Sequence, residues 1–188
     1  MNKFVTDWAT TDRVQVVLDT IASRRSVRNY SDRPVADELV DKLLRAAMAA
    51  PSAKNRQPWE FVVVRSRAVL DSLAGGLKHA KMLFGAPLAV VVCAHSHIVL
   101  SDGTRVENQF WQQDAAAATE NLLLAAEALG LGAVWTAASD EERSAVVRNV
   151  LGVPSGVSPF CVIPIGFPAE TTFPKDKWAP EKIHYDKW

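Results

Sequence analysis

The sequence has no surplus of charge of either sign: Lys and Arg together number 21, and so do Asp and Glu, in 188 residues. That balance removes the general electrostatic footprint of a nucleic-acid binder, though it leaves room for a local basic cluster. Long hydrophobic runs are missing as well. The most apolar stretch, residues 88–94, falls far short of the ~20 residues a membrane helix requires, so neither nucleic acid nor membrane is an expected partner. The opening Met-Asn-Lys-Phe-Val-Thr-Asp-Trp lacks the apolar core of a secretory signal, and the expected location is cytoplasmic.

Cysteine is scarce. Cys93 and Cys161 both lie in apolar, strand-like runs, which reads as two buried thiols packing as small hydrophobes rather than as a disulfide or a metal pair. There is no Walker phosphate loop and no Gly-x-Gly-x-x-Gly after a strand, so the triphosphate and dinucleotide folds find no support. Nor is there a Gly-x-Ser-x-Gly elbow for a serine hydrolase. His95 and His97 stand one residue apart but have no third ligand in the pattern, and no metal site is expected.

What is present is the composition of an ordinary globular protein, 48% hydrophobic and 22% charged, with a length that suits one domain spanning residues 1–188. Residues 12–23 carry Val14, Val17, Leu18 and Ile21 at helical spacing, and residues 35–50 repeat the period through Leu39, Leu43, Leu44 and Ala47. Residues 59–64 are β-branched and aromatic, a strand. A helical pattern over 66–83 is interrupted at Gly75-Gly76, and 88–94 suits a central strand covered on both faces. Residues 95–105 read as a surface connection, and 107–129 as the longest helix, ended by Gly130. A short strand over 131–136, a helix over 140–150 and a strand over 160–165 follow. The tail, 166–188, has too little apolar periodicity to form a core, and is expected to lie along a surface such as that of a second subunit.

Three stretches carry chemistry. Pro51-Ser-Ala-Lys-Asn-Arg-Gln-Pro58 is a polar loop stiffened by two prolines, with Pro58 expected to hold Gln57 extended. Arg24-Arg25-Ser26-Val27-Arg28 can take a phosphate through guanidinium forks and a hydroxyl, although a solvated basic loop accounts for the same residues. Lys175-Asp176-Lys177 is likewise either a solvated tail or a second contribution to that phosphate. His79 could approach a ligand or simply lie on a surface helix, and Phe84, Phe110 and Trp111 could line a substrate face or a core.

In their order along the chain, Arg-Arg-Ser-Val-Arg, Pro-Ser-Ala-Lys-Asn-Arg-Gln-Pro-Trp-Glu-Phe, Ala-Leu-Gly-Leu-Gly-Ala-Val-Trp, Pro-Ile-Gly-Phe-Pro and the basic tail resemble the FMN-dependent nitroreductase family. The resemblance implies an α+β fold with a central, mainly antiparallel sheet surrounded by helices. It also implies a homodimer with FMN at the subunit interface, and NADH or NADPH as electron donor. The reaction implied is a ping-pong reduction of nitroaromatics, quinones or similar small-molecule acceptors, with no catalytic side chain because the flavin carries the hydride. A non-catalytic flavin-binding protein of the same fold, or a specialised flavoenzyme for ene-reduction or dehalogenation, are the alternatives.

By the same resemblance Arg24, Arg25, Ser26 and Arg28 reach the flavin's phosphate, ribityl chain or pyrimidine edge, and Pro51, Ser52, Ala53 and Asn55 come to it from the partner chain. Trp135, Thr136 and Ala137 would offer backbone N–H groups, and Lys175 and Lys177 would close on the phosphate. The family often has arginine where this chain has Lys177, and an acidic residue and a glycine where it has Ala137 and Ala138. The chain is also short for the family, so an open pocket is expected.

Overall fold

The computed structural model describes residues 11–188; the reading of the first eight residues lies outside them. In chain order the elements are α1 (Thr11–Ser23), α2 (Asp37–Met48), β1 (Trp59–Val64), α3 (Arg67–Gly76), β2 (Leu88–His95) and a small hairpin of β3 (His97–Val99) and β4 (Arg105–Glu107). Then come α4 (Trp111–Ala128), β5 (Gly132–Ala133), β6 (Thr136–Ala137), α5 (Glu141–Leu151) and β7 (Val157–Gly166). The strands of the main sheet run β1-β2-β7-β5, with β6 beside β5 on the same edge of β7, and every pairing between them is antiparallel. The expected α+β architecture is what the chain adopts.

β2 explains why the sheet sits where it does. Its β-branched run is buried from Leu88 through Ala94, and its alternation feeds two separate cores. Leu88, Val90, Val92 and Ala94 join Leu43, Ala47, Ala118, Leu122 and Ile163 under α2 and α4. Ala89, Val91 and Cys93 join Leu70, Leu73, Val147 and Val162 under α3 and α5. Each fully buried valine here contributes on the order of 2 kcal/mol through loss of apolar surface to water. The alanines of α4 let α2 approach closely enough for the Asn121 amide to donate to the carbonyl of Ala46 at 3.1 Å. Both cysteines are buried and unbridged, as the sequence suggested, with Cys161 Sγ 3.5 Å from Thr119 Oγ1.

Four expectations are refined. Residues 97–107 form a β-hairpin rather than a plain connection, because Asp102 accepts the N–H of Thr104 at 2.8 Å and Gly103 takes φ 83° in the turn. The long helix begins at Trp111, four residues late, since Asn108 is buried beneath the hairpin with its amide on the carbonyl of His95. The single strand over 131–136 is two short strands, both paired to β7. Helix α1 forms as expected, but Val14, Val17, Leu18 and Ile21 each remain roughly half exposed.

Candidate cofactor site

Residues 24–28 run in extended form along the edge of β5. Val27 donates to the carbonyl of Ala133 at 3.0 Å, and Ser26 bridges Ala133 in parallel sense. Val27 is buried, and its side chain lies so close to Gly132 that a Cβ there would stand 2.6 Å from Val27 Cγ1. The Leu-Gly-Leu-Gly stretch is therefore glycine at this point because a neighbouring strand needs the space. With Val27 turned in, Ser26 and Arg28 on either side of it face out. Tyr30 locks the segment to the sheet, its hydroxyl donating to the carbonyl of Val27 at 2.6 Å, with the carbonyl of Pro164 at 3.2 Å. Burial pushes the Tyr30 phenol well above its ordinary pKa, and the Arg28 charge only partly offsets this.

Arg28 shares a cleft of about 190 Å³ with Trp135, Thr136, Ala137, His79 and Met82. Among the described residues it makes no hydrogen bond or ion pair. The backbone at β6, whose Thr136 and Ala137 line this cleft, leaves one N–H out of the sheet pairing. Ala138 gives its N–H to Phe160 at 2.9 Å, so by antiparallel alternation Thr136 also faces β7 while the N–H of Ala137 points to the open edge. The Thr136 hydroxyl is spent on the carbonyl of Val162. Trp135 is partly exposed and packs edge-on against Phe160, with ring centres 5.4 Å apart.

Arg24, Lys175 and Lys177 line a second cleft of about 440 Å³ with Ile21, Ala22 and Pro174. Among the described residues Arg24 pairs with the half-exposed Glu120 at 3.4 Å, neither lysine has a hydrogen-bond or ion-pair partner, and Asp176 lines the cleft between them. From Arg24 to Arg28 the backbone can span at most roughly 14 Å, which bounds how far apart the two arginines leave the chain. Arg25 is placed differently. Its guanidinium bonds both carboxylate oxygens of Glu127, at 2.9 and 3.1 Å, and Thr172 Oγ1 at 2.7 Å.

The loop 51–55 is anchored at the opposite end of α4 from Arg25. Ala53 donates its N–H to Asp114 Oδ1 at 2.8 Å, in the first turn of α4, whereas Arg25 is bonded to Glu127 in that helix's last turn. Thirteen residues of helix separate these anchors, about 20 Å. Ser52 accepts the N–H of Gln57 through its hydroxyl at 2.9 Å, and Asn55 Oδ1 accepts the Gln57 side-chain amide at 3.1 Å. Pro51 is exposed at the head of the loop.

Gln57 is not extended, as its position before Pro58 suggested: it has φ 48°, and Lys54 and Asn55 are left-handed too, at 56° and 52°. The bonds to Ser52 and Asn55 hold the turn against a cost of about 1–3 kcal/mol per strained residue. Among the described residues no group of three or more His, Cys, Asp or Glu is placed to hold a metal. His95 lies 3.1 Å from Glu60, and His97 lies 3.1 Å from the Ser96 hydroxyl.

The model of the Nitroreductase family matches residues 21–79 and 72–167, which takes in the Arg24–Arg28 and Pro51–Asn55 motifs and both cores. The chain belongs to that family. A protein of Methanothermobacter thermautotrophicus with the provisional name NADH dehydrogenase/NAD(P)H nitroreductase is 44% identical over 173 residues, covering 92% of this chain and 87% of the relative. The crystal structure of a Bacteroides thetaiotaomicron protein with the same provisional name superimposes with a TM-score of 0.84 at 47% identity, over 92% of this chain and 98% of that one. A nitroreductase-like protein of Desulfovibrio desulfuricans, solved in complex with FMN, gives 0.74 at 31% identity, over 92% and 97%.

In this nitroreductase-family chain three residues that no motif points to anchor the candidate segments. Asp114 sat inside what looked like the middle of an alanine-rich helix, and only the later helix start puts it in the first turn. Glu127 and Thr172 are the partners of Arg25, at separations of 102 and 147 residues, for which no local pattern exists.

Proposed function

We propose that this nitroreductase-family chain is an FMN-dependent oxidoreductase that takes hydride from NADH or NADPH and reduces nitroaromatics, quinones or similar electron-poor acceptors in ping-pong fashion. The observation that carries this reading is the convergence of Arg28 with the outward N–H of Ala137 in one cleft, with Arg24, Lys175 and Lys177 in another.

The residues present fit FMN. Arg28, Lys175 and Lys177 have no described internal partner, which is the state expected of cations that await an anion. Lys177 keeps the charge that the family's arginine has but contributes a point charge, not a fork. Arg28 and the Ala137 N–H, on the same cleft, supply one cation and one fixed donor for the polar edge of a flavin ring. On the loop, Asn55 keeps its amide N–H₂ without a described partner. When bound, FMN supplies the two-electron chemistry, receiving hydride from the nicotinamide and passing electrons to the acceptor. The chain's part is to bind, to orient through Arg28 and Ala137, and to leave one ring face open.

The working unit in this reading is a homodimer with two sites across its interface. Along α4 the anchors of Ala53 and Arg25, Asp114 and Glu127, stand about 20 Å apart, while Arg24 meets Glu120 about 9 Å from Asp114; in this reading the loop of one chain serves residues 24–28 of its partner. The apolar residues of α1 line an uncovered groove of about 450 Å³ with Leu124 and Ala125, and the tail leaves Phe173, Trp178, Tyr185 and Trp188 exposed. Contiguous apolar surface of this kind favours a second subunit. No described helix is long and apolar enough to cross a membrane. Two buried, unbridged thiols suit a reducing compartment such as the cytoplasm.

The protein as isolated should be yellow. Its flavin absorbance should bleach on anaerobic addition of NADH or NADPH and return when a quinone or nitroaromatic follows. A colourless protein that takes up no added FMN would sink the proposal, and colour without bleaching would leave only flavin binding.

A further inference from the structure

We infer that Arg25, the second arginine of Arg-Arg-Ser-Val-Arg, is a positioning residue rather than a phosphate ligand: it latches the departure of the C-terminal arm that brings Lys175 and Lys177 to Arg24. The inference rests on the reading of the site as an FMN site. Two of the three nitrogens of the Arg25 guanidinium are already engaged. Its Nη1 donates to both oxygens of Glu127 and to the carbonyl of Ser23 at 3.3 Å, and its Nε donates to Thr172 Oγ1 at 2.7 Å. Both side chains of the ion pair are largely buried, 22% exposed for Arg25 and 18% for Glu127.

Glu127 stands in the last turn of α4, where a negative charge opposes the helix dipole, so the carboxylate depends on its cation. Turning Nη1 to a phosphate would break the pair with Glu127 in a poorly hydrated place, and only Nη2 is left for another acceptor. Thr172, on the other side of the guanidinium, is three residues from Lys175. The latch therefore joins the last turn of α4, the end of α1 and the root of the arm, and fixes where the two lysines emerge beside Arg24.

Glu127→Gln separates the two roles by sign. If Arg25 is a latch, weakening its anchor loosens the arm, and FMN binds about tenfold more weakly to the FMN-stripped protein, as read by flavin fluorescence quenching. Trypsin should then also cut faster at Lys177 in the FMN-free protein. If Arg25 is a direct ligand, releasing it from Glu127 leaves FMN affinity unchanged or raises it, and that result overturns the inference.

Thr172→Val, which removes one hydroxyl and nothing from the helix, repeats the test should the first variant fail to fold. Weaker FMN binding with faster cleavage supports the latch; wild-type affinity with wild-type cleavage refutes it. Wild-type protein that takes up no FMN would defeat the cofactor reading alone, while the cleavage rates would still decide whether Arg25 holds the arm.

Discussion

Asp114 accepts the backbone N–H of Ala53 at 2.8 Å while only 5% of its own surface is exposed, and its second oxygen is buried with no hydrogen-bond partner among the described residues. A carboxylate so placed in the first turn of α4 is supported by the helix dipole, and it ties a strained loop to the longest of the described helices. Asp114→Ala leaves the Ala53 N–H without an acceptor and should cost about 1–3 kcal/mol in urea unfolding. Asp114→Asn keeps an acceptor and should cost less. FMN affinity should fall in the same order, because the loop carries Ser52 and Asn55; equal affinity in all three proteins would detach the loop from the site.

Gly132 and Val27 make a second prediction, on steric grounds. An alanine at 132 would put its Cβ 2.6 Å from Val27 Cγ1, in a buried place where neither strand can yield without breaking the bond from Val27 to Ala133. Gly132→Ala should destabilise by about 1–3 kcal/mol, the usual range for overpacking. It should also weaken FMN binding by displacing Ser26 and Arg28. Adding Val27→Gly removes the obstructing Cβ, at 2.7 Å, together with both methyls, so the double variant should be more stable than the sum of the two single effects. Simple additivity would mean the contact is relieved some other way.

Much of this architecture was legible in the sequence, and what was not has physical causes. The run 88–94 is apolar at every position, which only a strand covered on both faces tolerates, and Asp140 with Gly152 bracket α5 as cap and left-handed stop. The motifs named the segments of the site but not the side chains' employment. Arg25 looks like Arg24 and Arg28 in the sequence, and only Glu127 and Thr172, distant along the chain, set it apart. Gln57 was misread because the rule for residues before proline describes sterics alone, and here two side-chain hydrogen bonds outweigh it.

The buried cysteines predict an alkaline weakness. Burial pushes the Cys93 thiol up to about 11 and the Cys161 thiol up to about 12, from an ordinary value near 9. A raised pKa means the folded chain keeps protons that the unfolded chain sheds. Stability is therefore full below pH 9 and declines as pH rises toward 11, by about 1.4 kcal/mol per pH unit for each thiol. Tyr30, also raised by burial, adds to the decline above pH 10 with the same sign. Urea unfolding between pH 8 and 10.5 should show this slope, and Cys93→Ala combined with Cys161→Ala should flatten it. The same slope in the double variant would assign the effect to other groups.

The proposed sharing of one site between the loop of one chain and residues 24–28 of its partner can be tested directly. Arg28→Ala should weaken FMN binding by about 1.5–3 kcal/mol, the contribution of a charge-assisted bond. Ala53→Phe should block the other side, since it keeps the N–H to Asp114 and fills the space beside it. If one site takes Arg28 from one chain and Ala53 from its partner, a heterodimer of the two variants has one site with both defects and one with neither. Random pairing would then restore about a quarter of all sites. If each site is built within a chain, every site in the mixture keeps a defect and nothing is restored. Co-expression of the two variants, followed by FMN titration at a concentration that leaves each parent empty, distinguishes these results; recovery near a quarter requires the site to be shared between subunits, and none at all would place it within a single chain.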